Sequence, residues 1–290
     1  MRYIFIMNQI KAYLYAKDDN YPDTKSDFGF LKEIFNRAGI ETIRVQQLPK
    51  TDKAIVVVCG CDFYKKEHKL DNELSKIDKV MLFVTANETG QFQDNQISHR
   101  DIKFWMQSPF PKHESRFKFP IGAPEFLKTN LPEYTQKEYD VFYSGQINHG
   151  RREELAKVLP EVNDAVYYLT KGFMQGYDPK EYYNKFIKGR IAPAPAGNVT
   201  IDSFRFYEAL ELLCLPIGDI KNAIEQDFDF WDFVFDGKID IAKTNDWNEL
   251  PQIVDSLLSN YPQNMHLLVS WWIKYKRDFA IKILKEYHAF

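Results

Sequence analysis

Residues Gly189 to Asp219, GRIAPAPAGNVTIDSFRFYEALELLCLPIGD, read as strand, loop, helix and strand. The apolar run Gly189–Pro195 is ended by Pro193 and Pro195, which cannot donate to a sheet ladder. Ala196–Asp202 is a loop holding Gly197 and Asn198, residues that tolerate unusual backbone angles. Asp202 or Ser203 stands where a residue can cap the following helix. That helix, Phe204–Leu213, is apolar nearly all round and is expected to be buried. Its only charges, Arg205, Glu208 and Glu211, recur every third position and form one narrow stripe. Two interpretations of the stripe stand open. A buried helix N-terminus with Arg205 suits phosphate, and Glu208 one turn on can accept from both hydroxyls of a ribose. Equally, Arg205 and Glu208 can be a structural ion pair at i, i+3.

The 290 residues suffice for two ordinary domains or one large one. A net charge of −3 and a pI near 6.1 give no overall basic character that would point to nucleic acid or an anionic membrane. Cys59, Cys61 and Cys214 lack zinc-like spacing and suit free thiols in a reducing compartment. The opening MRYIFIM is too short for a signal segment or a membrane span, so the expectation is a cytoplasmic chain.

Outward from the central stretch, hydrophobic runs alternate with amphipathic ones. Expected strands are Tyr3–Met7, Glu41–Leu48, Ala54–Cys59 (AIVVVC), Val80–Thr85 (VMLFVT) and Asp101–Gln107. Expected helices are Thr24–Ala38, closed by Gly39, and His68–Ile77. Continuous β-branched runs mark strands buried on both faces of a parallel sheet. Prolines 109, 111, 120, 124 and 132 exclude long elements between Ser108 and Pro132, and a domain boundary is expected near Pro132–Lys137. Alternation then resumes with strands at Tyr139–Ser144, Ala165–Thr170, Leu215–Gly218 and Ile239–Lys243. Helices are expected at Arg151–Val158, Pro179–Ile187, Trp247–Leu258 and Asn264–Tyr287. The last carries an aromatic stripe expected in a core (Trp271, Trp272, Tyr275, Phe279). Its Lys274, Lys276, Arg277, Lys282 and Lys285 are expected on a solvated face. The whole predicts α/β architecture with two Rossmann-like domains facing each other across a cleft. The suggestive loops follow strands: Asn8–Asn20, Gly60–Phe63, Ala86–Gln91, Gly145–Arg152 and Ala196–Ser203. GxGxxG and Walker A patterns are absent, which argues against a dehydrogenase or a P-loop NTPase.

A second informative stretch is YDVFYSGQINHGRREEL, Tyr139–Leu155. A strand runs through a glycine turn into a helix whose first turn holds Arg151 and Arg152. The helix dipole disfavours cations there, which suggests an anionic partner; Glu153 and Glu154 alongside offer a surface neutralisation instead.

The pair of segments, DVFYSGxxxxGRRE and then APAxxxxxDSFRFYEALxxxCLPIGD, resembles the C-terminal half of exostosin-like glycosyltransferases of the GT-B fold. It is also similar in its donor-site pattern to phage DNA β-glucosyltransferases. The resemblance covers Tyr139–Asp219 and departs from the family at Leu213, where a glycine is usual. It implies an N-terminal acceptor-side domain over 1–133, a nucleotide-sugar domain over 138–262 and a C-terminal crossing helix over 263–290. It implies that Arg205 and Arg152 hold a diphosphate, that Glu208 holds the ribose, and that Gly145 lets the backbone approach the donor. Gly197 and His149 belong to the two donor loops, and Ser203 with Asp202 would cap the donor helix. A uracil-type base would sit at Tyr168–Gly172. The implied donor is a UDP-sugar or another NDP-sugar. The acceptor base would be Glu88, after VMLFVT, or Asp62, after AIVVVCGC; His99, His113 and His149 are further candidates. No essential metal is expected, the arginines and helix N-termini neutralising the leaving diphosphate. The acceptor is a glycan or, alternatively, hydroxymethylated pyrimidine DNA, for which Lys103–Lys118 offers a basic, aromatic-interleaved contact. A non-catalytic nucleotide- or sugar-binding module is the third reading.

Overall fold

The structure is a computed structural model. It describes residues 9–16, 28–60, 70–86, 97–99, 101–107, 117–172, 175–198, 200–221, 229–237 and 239–290. The expected strand Tyr3–Met7, the first turn of the expected helix Thr24–Ala38, Asp62, Glu88 and His113 lie outside the described residues. The chain divides into two units, one made of residues 1–118 and 275–290, the other of Phe119–Lys274.

The first unit holds a sheet in the order β2 (Glu41–Val45), β1 (Lys11–Tyr15), β3 (Thr51–Cys59), β4 (Ile77–Thr85), β5 (Ile102–Gln107) and β6 (Phe117–Phe119). The pairings β1–β2, β1–β3, β3–β4 and β4–β5 are parallel. The runs Ala54–Cys59 and Val80–Val84 are buried throughout, as sheet covered on both faces requires. One face packs Val56, Val58, Leu82 and Val84 with Leu70 and Leu74 of α2 (Leu70–Leu74). Phe35 of α1 (Gly29–Arg37) meets Phe83 edge-on at 5.4 Å. Lys11–Tyr15 corrects an expectation: a strand between β2 and β3 stands where a loop was read. Its Ala12, Leu14 and Tyr15 are buried, but the short run Lys-Ala-Tyr-Leu-Tyr lacks the β-branched signature of its neighbours.

The second unit repeats the design. Its sheet runs β11 (Ala242–Thr244), β10 (Leu215–Asp219), β9 (Gly189–Ala194), β7 (Tyr139–Gln146), β8 (Ala165–Thr170), with every pairing parallel. Counted within each unit, the first five strands lie in the order 2-1-3-4-5. Such a sheet has its switch point between its first and third strands, here β7 and β9. The helices are α3 (Glu125–Thr129), α4 (Gly150–Val158), α5 (Pro179–Phe186), α6 (Phe204–Glu211), α7 (Phe230–Phe235), α8 (Leu250–Ser259) and α9 (Tyr261–Ala289). The sequence pattern gives no expectation of α3 or α7. The latter starts on Asp229, whose carboxylate accepts from the N–H groups of Trp231 and Asp232.

The central helix α6 ends two residues earlier than expected. Leu213 follows with φ +56°, the left-handed conformation that a glycine after a helix usually supplies. Helix α9 runs 29 residues, and its part from Tyr275 belongs to the first unit. Trp272 and Phe279 are buried as expected. Lys276 is not on a solvated face: it is 3% exposed and its ammonium lies 2.9 Å from the Glu33 carboxylate. Among the described residues no helix is long and apolar enough to cross a membrane. Cys59 and Cys214 are buried free thiols.

Candidate functional site

The loops that follow β7 and β9 flank the switch point of the second unit, where parallel α/β sheets bind ligands. They are tied to each other. Asn148 donates from Nδ2 to Asn198 Oδ1 at 2.9 Å. Arg152, in the first turn of α4, donates from Nε to the Ala196 carbonyl and from Nη1 to Asn148 Oδ1, both at 3.3 Å. One arginine therefore holds both loops while its guanidinium stays at their junction. Gly197 is needed for close packing: a Cβ there would lie 3.0 Å from the Thr200 carbonyl oxygen and 3.1 Å from that of Asp202. His149 occupies the cap position of α4 in extended conformation, and its side chain does not cap. Its ring bonds to the Ala196 backbone, and Nε2 is buried without a partner. Burial and then the neighbouring Arg152 charge lower its pKa, so the imidazole is neutral at physiological pH.

Arg151 and Arg152, adjacent in sequence, have different duties. Arg151 is 4% exposed and turned onto Asp219 at the end of β10, with Nη2 donating to Oδ1 at 2.8 Å and Nε reaching both oxygens. Glu154 also takes its Nη1. Asp219, fully buried, further accepts from Ala196 N (3.1 Å), Lys221 N (3.0 Å) and Trp247 Nε1 (3.1 Å). The anion that Arg151 calls for is thus internal, and Asp219 pins the start of the loop that follows β9.

Arg205 enters from the first turn of α6. Its Nη2 donates to the Ser144 carbonyl at 2.6 Å, and its guanidinium carbon lies 4.6 Å from the Tyr143 ring centroid. Gly145 makes the slot: a Cβ there would sit 2.6 Å from Arg205 Nη2. The Nε of Arg205 and the hydroxyl of Tyr143 are buried without partners. Glu208 is 5% exposed and accepts from the hydroxyls of Tyr182 (2.9 Å) and Tyr183 (2.7 Å), one on each oxygen. Tyr182 also bonds Arg205, so a phenol bridges the Arg205/Glu208 stripe in place of a direct ion pair. Burial raises the Glu208 pKa, while Tyr183, Arg205 and Tyr182 pull it back.

One local expectation is corrected. Ser203 stands at the cap position of α6 but makes no side-chain capping bond. Asp202 does not cap either: its carboxylate accepts from Ile121 N at 2.8 Å and the Tyr207 hydroxyl at 2.5 Å. One distant partner, Ile121, and one side chain a turn into the helix, Tyr207, hold the carboxylate instead. The first-turn N–H groups of α6 are accordingly not taken by the Ser203 hydroxyl.

The structure places Gly145 at the end of β7, His149 and Gly197 in the two adjoining loops, Ser203 at the cap of α6, Arg152 and Arg205 in the first turns of α4 and α6, and Glu208 one turn further along α6. Sequence reasoning overlooks Tyr143, Tyr182, Tyr183 and the anchoring role of Asp219. At the expected base position Tyr168 is 43% exposed and its ring lies 4.8 Å from that of Tyr177. In the first unit His99 reaches the Ile77 carbonyl at 2.6 Å, and Lys103 is paired with Glu286 at 2.8 Å. Among the described residues no cluster of three or more His, Cys, Asp or Glu is placed to hold a metal ion.

No protein-family profile matches the chain, and no curated protein matches it in sequence. Solved structures do match. One is AviGT4, described as a glycosyltransferase involved in avilamycin A biosynthesis, with a TM-score of 0.54 at 9% identity over 96% of this chain and 97% of that one. Another is a mutant of T4 phage BGT in complex with UDP-glucose, with a TM-score of 0.43 at 12% identity over 97% of each chain. The likeness to AviGT4 is one of fold: this chain is built on an architecture that a glycosyltransferase uses.

Proposed function

We propose that the chain is a glycosyltransferase that moves a sugar from a nucleoside diphosphate donor, a uridine one first among candidates, to an acceptor hydroxyl on a glycan. The observation that carries this is the placing of Arg152 and Arg205 in the first turns of α4 and α6, beside a sheet switch point, in a fold shared with a glycosyltransferase.

Bond cleavage at the sugar leaves negative charge on the departing diphosphate. Two fixed guanidinium groups and two helix N-termini stabilise that charge without reorganising. Gly197 lets the second loop fold tightly at the N-terminus of α6, where Ser203 leaves the N–H groups uncapped. His149, neutral, offers Nε2 to a hydroxyl. Glu208 has two duties in this reading. It buttresses Arg205 through Tyr182, and it reaches a ribose with the lone pairs that Tyr182 and Tyr183 leave open. Gly145 gives Arg205 its place. The acceptor is handled by the first unit, with Glu88 or Asp62 as the base that takes the acceptor proton. No essential metal is part of this scheme.

Titration calorimetry with UDP, GDP, ADP and dTDP tests the donor site. One nucleotide should bind wild type, and Arg205→Lys should weaken it at least about tenfold, because an ammonium cannot keep the guanidinium's several bonds at once. Release of nucleotide from the matching NDP-sugar is then measured with oligosaccharides and with duplex DNA carrying hydroxymethylated pyrimidines. Turnover with DNA alone would replace the glycan acceptor. Binding without turnover would favour a non-catalytic module, and a folded wild type that binds no nucleotide would refute the donor site.

A further inference from the structure

Six side-chain nitrogen or oxygen atoms among the described residues are buried without a hydrogen-bond partner, and three of them lie at the site: Tyr143 OH, His149 Nε2 and Arg205 Nε. Two of these are neighbours. The Tyr143 ring underlies the Arg205 guanidinium, and both meet on the side of Gly145 that lacks a Cβ. The point a Cβ would occupy is 3.1 Å from the Tyr143 hydroxyl and 2.6 Å from Arg205 Nη2. Tyr143 and Gly145 are two apart on β7 and so face the same way, toward α6. Tyr143 is 0% exposed beneath the Arg205 guanidinium, so in the ligand-free chain neither water nor protein supplies its hydroxyl with an acceptor.

A buried phenol with nothing to bond destabilises the fold, and phenylalanine would fill the same space without that cost. A tyrosine beside a cation, at the end of a strand on a ligand-binding edge, has a use if its missing acceptor arrives with the ligand. We infer that Tyr143 is a further ligand-binding residue of this site, its hydroxyl donating together with Arg205 to an oxygen of a diphosphate once the ligand draws the half-buried Arg205 guanidinium off the ring. The inference rests on the donor-site reading above and adds to it a neutral donor that selects for phosphate oxygen at the end of β7. Arg205 supplies the charge and Tyr143 the direction.

Tyr143→Phe removes one oxygen and tests this directly. The probes are inorganic pyrophosphate and whichever of the four nucleoside diphosphates binds wild type best. Affinity for both should fall about tenfold or more, the worth of one hydrogen bond to a charged group. The ligand-free variant should melt at or above the wild-type temperature, because the hydroxyl it loses has no partner. Unchanged affinity for pyrophosphate and nucleotide in the variant overturns the inference and leaves the donor site standing. A ligand-free variant that melts well below wild type, or does not fold, also overturns it, since the hydroxyl would then have a partner inside the protein. Binding of neither probe by wild type removes the donor site and this inference together.

Discussion

Replacing Glu208 with alanine separates a carboxylate that only touches ligand from one that also holds the fold. The Glu208 oxygens accept from Tyr182 at 2.9 Å and Tyr183 at 2.7 Å, and Tyr183 is fully buried. Alanine strands both hydroxyls. A buried donor left unpaired costs about 1–3 kcal/mol, and the half-buried Tyr182 recovers part of that from water. The sum is about 2–4 kcal/mol without ligand, against about 0.5 kcal/mol or less for an ordinary surface glutamate. Each kcal/mol lowers the melting temperature of a unit this size by about 2–4 °C, so the drop is about 4–16 °C. Thermal melts of the ligand-free chain read the drop, and urea denaturation reads the free energy. The sign of a second change is diagnostic: Glu208→Ala with Tyr183→Phe should be more stable than Glu208→Ala alone, because the stranded hydroxyl is gone. The pH dependence follows from the raised Glu208 pKa. Between the unfolded carboxylate value and the higher folded one, the native state holds the proton more tightly than the unfolded chain. The Glu208 contribution is therefore fullest at acid pH and declines as pH rises through the folded value. Wild type should lose stability relative to Glu208→Gln across that window and run parallel to it above. A Glu208→Ala chain within about 0.5 kcal/mol of wild type, with no gain from Tyr183→Phe, would refute the buttress.

Two further outcomes are expected. Asp219→Ala leaves Arg151 buried without its main carboxylate and should cost about 3–5 kcal/mol in urea, while loosening nucleotide affinity because Ala196 N loses its anchor. Leu213→Gly should be neutral or stabilising by up to about 1 kcal/mol in thermal melts, since glycine adopts φ +56° without strain; a clear loss would mean that Leu213 side-chain packing outweighs the backbone.

The strands legible in sequence are those whose physics is local. Ala54–Cys59 and Val80–Val84 are buried on both faces, so every residue is apolar and most are β-branched. The strand at Lys11–Tyr15 is equally interior to its sheet, but Tyr13 and Lys11 spoil the run, and MRYIFIM is the more apolar stretch nearby. Lys276 sits among other basic residues and looks solvated; only the fold brings Glu33 to it. The site divides in the same way. Arg152 and Arg205 stand out because a cation at a helix N-terminus is locally unfavourable and asks for a reason. Tyr182 and Tyr183 give no such sign, since the Glu208 they bond is a full loop and strand away. Asp202 shows the opposite failure: its sequence context predicts a cap, and a backbone N–H 81 residues upstream claims the carboxylate instead.

Helix α9 has a consequence for how this chain is made. Its first turns belong to the second unit and its turns from Tyr275 to the first, where Phe279 packs 5.7 Å from Trp105 and Lys276 meets Glu33. The first unit is therefore sewn from two pieces of chain, and the ribosome delivers the second piece only after the whole of the other unit. At about 5–20 residues per second, the stretch from Lys118 to Tyr275 takes roughly 8–30 s to synthesise. During that interval the strands of residues 1–118 have emerged with the Phe83–Trp105 stack still lacking the helix that covers it. The unit begun first is thus finished last, and its nascent half needs protection from aggregation for as long as translation of its partner lasts.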